Sequence, residues 1–99
     1  MKDEYITSIG VWGQRHYNYL KIKSPTVINT MRMEGTLEQY LFDIDRDAEE
    51  MFSQLVKQLA EREGITEALK IDDQMAWIGK MNIIRNQALE IVNCELIYS

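Results

Sequence analysis

One cysteine, one proline and one histidine occur among the 99 residues of this chain, and only five glycines. A lone Cys94 has no partner for an internal disulfide and fits a reducing compartment. A lone His16 has no second imidazole, and no cysteine or serine is placed for it to activate, so nucleophilic catalysis is not expected. The usual metal-ligand pairs are missing, because Cys94 has no cysteine neighbour and the acids of 43–50 lie in a helical pattern rather than a calcium loop. No glycine-rich phosphate loop is present. The expectation is a non-enzymatic protein with no metal and no cofactor.

Long apolar runs are also lacking. No stretch approaches the roughly 20 residues needed to cross a bilayer. Met1, Lys2, Asp3 and Glu4 are not followed by an apolar core of signal-peptide type. A cytoplasmic protein without membrane contact is expected. Positive charge is scarce too, with 11 Lys/Arg against 16 Asp/Glu and a net charge of −5. It is unevenly spread: residues 1–35 carry five basic groups against three acids, and residues 36–99 carry six against thirteen. This balance argues against nonspecific binding to nucleic acid and suits a basic partner or plain solubility.

What the chain does have is helical periodicity. With 45% hydrophobic and 27% charged residues it reads as one globular domain, residues 1–99. Residues 1–9 read as an extended arm, in which Tyr5, Ile6 and Thr7 could pair as a strand only against a partner edge. Residues 10–35 read as two short helices. The first carries Val11, Trp12, Tyr17 and Leu20, and the second starts at Ser24 and Pro25 and stops at Gly35. Residues 36–99 read as a helical hairpin. Thr36 and Gln39 match a capping box, and Leu37, Leu41, Ile44, Ala48, Met51, Leu55 and Leu59 form one stripe of a helix roughly 40 Å long. Gly64 and Thr66 end that helix and cap another that runs to about residue 97. The fold class is therefore all-α: a long antiparallel αα-hairpin, about 37–63 and 67–97, with the short N-terminal helices packed on it.

The second long helix has two apolar stripes. Ile71, Met75, Ile78, Asn82, Arg85, Leu89, Val92 and Leu96 follow alternating steps of four and three, and Asn82 and Arg85 interrupt an otherwise apolar seam. If the turn centres on Ile65, Leu59 meets Ile71, Leu55 meets Met75, Ala48 meets Asn82, and Arg85 arrives beside Asp45. Asn82, Arg85 and Asp45 then form a register-setting buried polar group. The other stripe, Trp77, Met81, Ile84, Ala88 and Ile91, lies roughly 120° around the cylinder. It awaits cover from the N-terminal helices or from a second copy in a homodimer.

The segment 73–98 resembles the C-terminal signature of the TnpV family, small proteins encoded in transposons and integrative elements of Gram-positive bacteria. The matching positions are Asp73, Gln74, Met75, Trp77, Met81, Asn82, Ile84, Arg85, Asn86, Ala88, Glu90, Glu95 and Tyr98. Weaker similarity runs through residues 63–67, Ile44 and Asp45, and reaches Gly13, Arg15 and residues 19–21, covering roughly the last 90 residues. Two departures stand out. Family members share a longer acidic, proline-bearing stretch before the first helix, which this chain lacks, and their first helix is more basic than residues 14–21 here. The resemblance implies a genomic context, cargo of a mobile element, and brings no biochemical activity with it.

Two surfaces suggest functions. Residues 43–50 hold five acids, and Asp43, Asp47, Glu49 and Glu50 form the expected contact set of a negative ridge that could occupy the basic groove of a nuclease. Given a mobile-element context, the expected partner is a host nuclease or nucleoprotein complex such as a CRISPR effector, whose channels are lined with positive charge. The bland alternative for that ridge is a solvated helix face with Arg46 and Lys57 in local ion pairs. Arg15, Lys21, Lys23 and Arg32 could instead meet phosphates in a small helix–turn–helix between residues 12 and 32, making the protein a DNA-binding factor for excision or transcription. Four positive charges in that span are a weak signal, and packing of the aromatics there is the simpler use.

Overall fold

The computed structural model describes residues 9–98, so the expected arm at residues 1–9 lies, but for Ile9, outside the described residues. All regular structure among them is helical: α1 (Val11–Lys23), α2 (Pro25–Glu34), α3 (Leu37–Arg62), α4 (Glu67–Asp72), α5 (Gln74–Val92) and a closing π-helical turn (Asn93–Ile97). None of the helices is long and apolar enough to cross a membrane.

Local chemistry sets most of the boundaries. Pro25 occupies the first position of α2, where its missing N–H costs nothing. Gly35 (φ +76°) and Gly64 (φ +72°) take the left-handed conformation that ends a helix. After Gly35 the Thr36 N–H donates to the Met31 carbonyl at 2.9 Å, and after Gly64 the Ile65 N–H donates to Ala60 at 2.9 Å. The capping box expected at Thr36 and Gln39 does not form. Thr36 is already part of the closing turn of α2, its hydroxyl turned back to the Met31 carbonyl, and Gln39 donates to Asp43 at 2.9 Å. Thr66 does cap α4, accepting the Leu69 N–H at 3.3 Å.

The second helix of the hairpin is not continuous. Asp73 leaves helical geometry (φ −148°, ψ 85°), and its carboxylate caps α5 by accepting the Ala76 N–H at 3.2 Å. Asp72 and Asp73 at the end of α4 oppose its dipole, whereas Asp73 at the start of α5 complements one. The expected helix 67–97 thus becomes α4, α5 and the π turn. In that turn the Tyr98 N–H reaches back five residues to the Asn93 carbonyl, which lets Val92 and Ile97, five apart, both be fully buried.

Two clusters make the core. Ile9, Tyr17, Ile28, Leu37 and Leu41 join α1, α2 and the start of α3. Trp12, Ala48, Val92 and Ile97 join α1, the middle of α3 and the C-terminal turn, flanked by Ile44, Met51, Phe52 and Leu55. From Leu37 to Leu55 the α3 stripe read from sequence faces these clusters as expected, and Leu59, half-buried, lies beyond them. The hairpin register differs: Val92, not Asn82, lies with Ala48. At the other end, a cleft of about 190 Å³ lined by Glu63, Ile65, Lys80, Ile83, Ile84 and Gln87 puts the end of α3 beside residues 80–87. The α4 helix and the first turns of α5 therefore overhang α3, and the molecule is 55 Å long by 23 Å and 17 Å.

The seam divides: its C-terminal members Leu89, Val92 and Leu96 join the core around Ala48, whereas before them it is the other stripe that turns inward. Met81, Ile84 and Ala88 are buried, while Asn82 and Arg85 are exposed, as are Ile71, Met75 and Ile78. The physical reason is desolvation. Burying Met81, Ile84 and Ala88 strands no polar atom, whereas burying the seam would take an amide and a guanidinium out of water. Among the described residues no hydrogen bond or ion pair joins Arg85 to Asp45, so the buried trio of Asn82, Arg85 and Asp45 is corrected.

Candidate interaction surface on α3

The acids of α3 divide between two faces. Asp45 and Glu49, one turn apart, point to α1. The Asp45 carboxylate accepts the Gly13 N–H at 3.0 Å, and the Glu49 carboxylate accepts the Trp12 indole N–H at 3.0 Å. Gly10, the N-cap of α1, has no side chain to cap with, so Asp45 supplies the acceptor from a different helix. Close approach makes this possible: a Cβ on Gly13 would lie 2.8 Å from the Leu41 carbonyl oxygen, and one on Gly10 would lie 2.6 Å from the Asp45 carboxylate.

Asp43, Asp47 and Glu50 take the outer face. Arg46 sits between the first two, 3.5 Å from Asp43 and 3.6 Å from Asp47, with 60% of its own side chain exposed. These pairs are solvated and loose, and each is worth little to stability. Glu50 is exposed one turn further on. Of the four expected contact residues, then, Asp43, Asp47 and Glu50 share an open ridge, and Glu49 is exposed with one oxygen held by Trp12.

The basic residues of α1 and α2 are mostly tied into the fold. Arg15 donates to Asn93 at 3.1 Å and lies over the Trp12 ring at 5.3 Å. Lys21 lies over the Tyr17 ring at 5.2 Å, and Arg32 donates to the Tyr17 hydroxyl at 2.7 Å. Lys23 is exposed at the end of α1. Ring stacking and hydrogen bonding use up the geometry that a phosphate contact would need at Arg15.

His16 is 4% exposed and is held at both ring nitrogens. Nδ1 lies 2.8 Å from the Ile97 carbonyl and Nε2 lies 2.8 Å from the Tyr40 hydroxyl. A carbonyl can only accept, so Nδ1 carries the proton, and in the neutral ring Nε2 accepts from Tyr40. Burial pushes the Tyr40 phenol above its ordinary value of 10.0. Cys94 is exposed. Among the described residues no group of three or more His, Cys, Asp or Glu side chains is arranged to hold a metal ion.

Compared with known proteins, residues 1–97 match the family model described as transposon-encoded protein TnpV. The chain belongs to the TnpV family. No curated protein and no solved structure matches it. Within the segment that carries the family resemblance, Met81, Ile84 and Ala88 are core, Asp73 is a cap, and Tyr98 meets Tyr19 edge-on at 5.4 Å.

Three working residues escaped the sequence reading: Gly13, Tyr40, and Glu49 in its role toward Trp12. A signal for the first was present. Gly10 and Gly13 are three apart, and a glycine pair at that spacing presents bare backbone on one helix side.

Proposed function

We propose that this TnpV-family chain is a non-enzymatic accessory protein of a mobile element that inhibits a host defence nuclease, in the manner of an anti-CRISPR protein. The observation that carries the reading is the division of labour on α3. Asp45 and Glu49 secure α1, which leaves Asp43, Asp47 and Glu50 as acids on an outward ridge. A rigid helix presenting carboxylates is complementary to the positively charged channels that hold guide and target strands in an effector nuclease. The transposon origin of the family supports the choice of target, since an element that enters a new host meets its nucleases. A non-enzymatic role is supported by the state of His16, whose two ring nitrogens are already engaged.

The test is binding of the purified protein to guide-loaded effector nucleases over a salt series, read beside plasmid interference in cells. Binding should weaken as salt rises, and a combined Asp43→Asn, Asp47→Asn and Glu50→Gln variant should lose inhibition while keeping its helical content. Absence of inhibition across a panel of effectors would sink the reading.

A second reading, a DNA-binding accessory for excision or transcription, draws on the exposed Lys21, Lys23 and Arg32 of α1 and α2. It requires a gel shift with element-end DNA that falls steeply with salt and disappears on replacing Lys21 and Lys23. The engagement of Arg15 with Asn93 and the net charge of −5 weigh against it.

A further inference from the structure

One aromatic ring borders the acidic ridge near the start of α3. Phe42 is 53% exposed, and among the described residues neither a cation nor a second ring stands against it. It lines an open cleft of about 440 Å³ with Gly35, Glu38 and Gln39. Gly35 puts no side chain over this cleft, and Gln39 donates to Asp43 at 2.9 Å. Glu38 is exposed one turn before Phe42 and forms no ion pair among the described residues. Ring and carboxylate share one wall, because residues four apart on a helix stand about 5–6 Å from each other. The chain's own cations nearby are engaged elsewhere. Arg46, a turn beyond Phe42, lies between Asp43 and Asp47, and Arg32, across Glu38 from the cleft, donates to Tyr17.

An arginine side chain suits this pairing. Its planar guanidinium can stack on an aromatic face while offering N–H donors to a carboxylate, which the compact ammonium of lysine does less well. The chain uses the same chemistry internally. Arg15 lies 5.3 Å from the centre of the Trp12 ring, whose indole N–H donates to Glu49. Glu38 and Phe42 supply the ring and the carboxylate again, on an outward face.

We propose that the cleft between Gly35 and Phe42 is an arginine-binding subsite of the ridge, where a guanidinium of the partner protein stacks on Phe42 and pairs with Glu38. The partner is the host nuclease proposed above, so the subsite rests on that reading for its occupant and gives the ridge a preference for arginine over lysine. Charge complementarity selects this occupant. On the adjoining ridge Asp43, Asp47 and Glu50 outnumber Arg46, so the local field favours a cation. An exposed ring inside a charged rim is also the kind of residue that anchors a protein interface.

The experiment is calorimetric titration of the full chain with two peptides of equal length and charge, one bearing arginines and the other lysines at the same positions. The arginine peptide should bind about three to five times more tightly. Phe42→Leu should bring it down to the level of the lysine peptide and leave the lysine peptide unchanged, while Phe42→Tyr should keep the preference. Glu38→Gln should weaken both peptides. These positions are exposed, and helical content is checked for each variant. Equal binding of the two peptides, or binding of neither, overturns the proposal, as does a preference that survives Phe42→Leu. Neither peptide is a nuclease, so the subsite and the nuclease reading fail separately. An arginine preference that depends on Phe42, in a chain that inhibits no effector, upholds the subsite and removes the nuclease reading. Inhibition without that preference removes the subsite alone.

Discussion

Asp45, in the middle of α3, accepts the backbone N–H of Gly13 at 3.0 Å and so caps α1 from outside that helix. This bond gives the aspartate the partner that had been expected in Arg85, and it links the first helix to the hairpin. Asp45→Ala should cost about 1–2 kcal/mol, the usual loss of a helix cap. Asp45→Asn, which keeps an acceptor, should cost less. A shift of the urea midpoint without a change in slope is the expected observation.

Gly13 is constrained first by backbone, with the Ile9 and Asp45 side chains close behind it. An alanine there would place its Cβ 2.8 Å from the Leu41 carbonyl oxygen, which cannot rotate away. Gly13→Ala should therefore push α1 off α3 and cost about 1–3 kcal/mol, as overpacking does. Fluorescence of Trp12, which stands against Phe52 at 5.6 Å, would report the displacement.

Replacing His16 with alanine would leave the buried Ile97 carbonyl without its donor and open a gap in the core. The expected cost is about 2–4 kcal/mol. Amide exchange should quicken at residues 93–98 more than in the middle of α3, because the histidine holds that turn. Equal acceleration everywhere would contradict a local role.

Tyr40 makes stability sensitive to alkali. Burial favours its neutral phenol, so the folded chain gives up this proton at higher pH than the unfolded chain does. The contribution is complete below the ordinary value of 10.0 and is lost as pH rises through the raised one. Denaturant titrations should show stability falling between pH 10.0 and the raised value. Tyr40→Phe should flatten the fall, at a cost of about 1 kcal/mol at neutral pH for the lost bond to His16.

Arg85→Ala should leave the stability of the monomer within about 0.5 kcal/mol, the usual range for an exposed position. A buried ion pair broken in this way would cost several times more. Thermal melts at low protein concentration separate the two cases, and they should show Asp45→Ala and Arg85→Ala to be additive.

The ridge of candidate contacts was only partly legible. Five acids in residues 43–50 are visible in the sequence, and helical spacing groups 43, 47 and 50 apart from 45 and 49. Which group would face solvent depended on where α1 lies, and that in turn rests on Gly10 and Gly13 meeting α3 closely enough for Asp45 and Glu49 to reach it.

By itself the sequence determined an all-helical chain, the helix ends at Gly35 and Gly64, the cap at Thr66, the α3 stripe and the likeness to TnpV proteins. These depend on contacts a few residues apart, so local pattern suffices to read them. Only the tertiary structure decided which stripe of α5 turns inward, where Asp73 breaks the last helix, and that Arg15, Lys21 and Arg32 engage Trp12, Tyr17 and Asn93. Periodicity says that a helix has an apolar face, but with two such faces the choice falls to the cost of desolvating Asn82 and Arg85, and that cost exists only once a partner helix is in place.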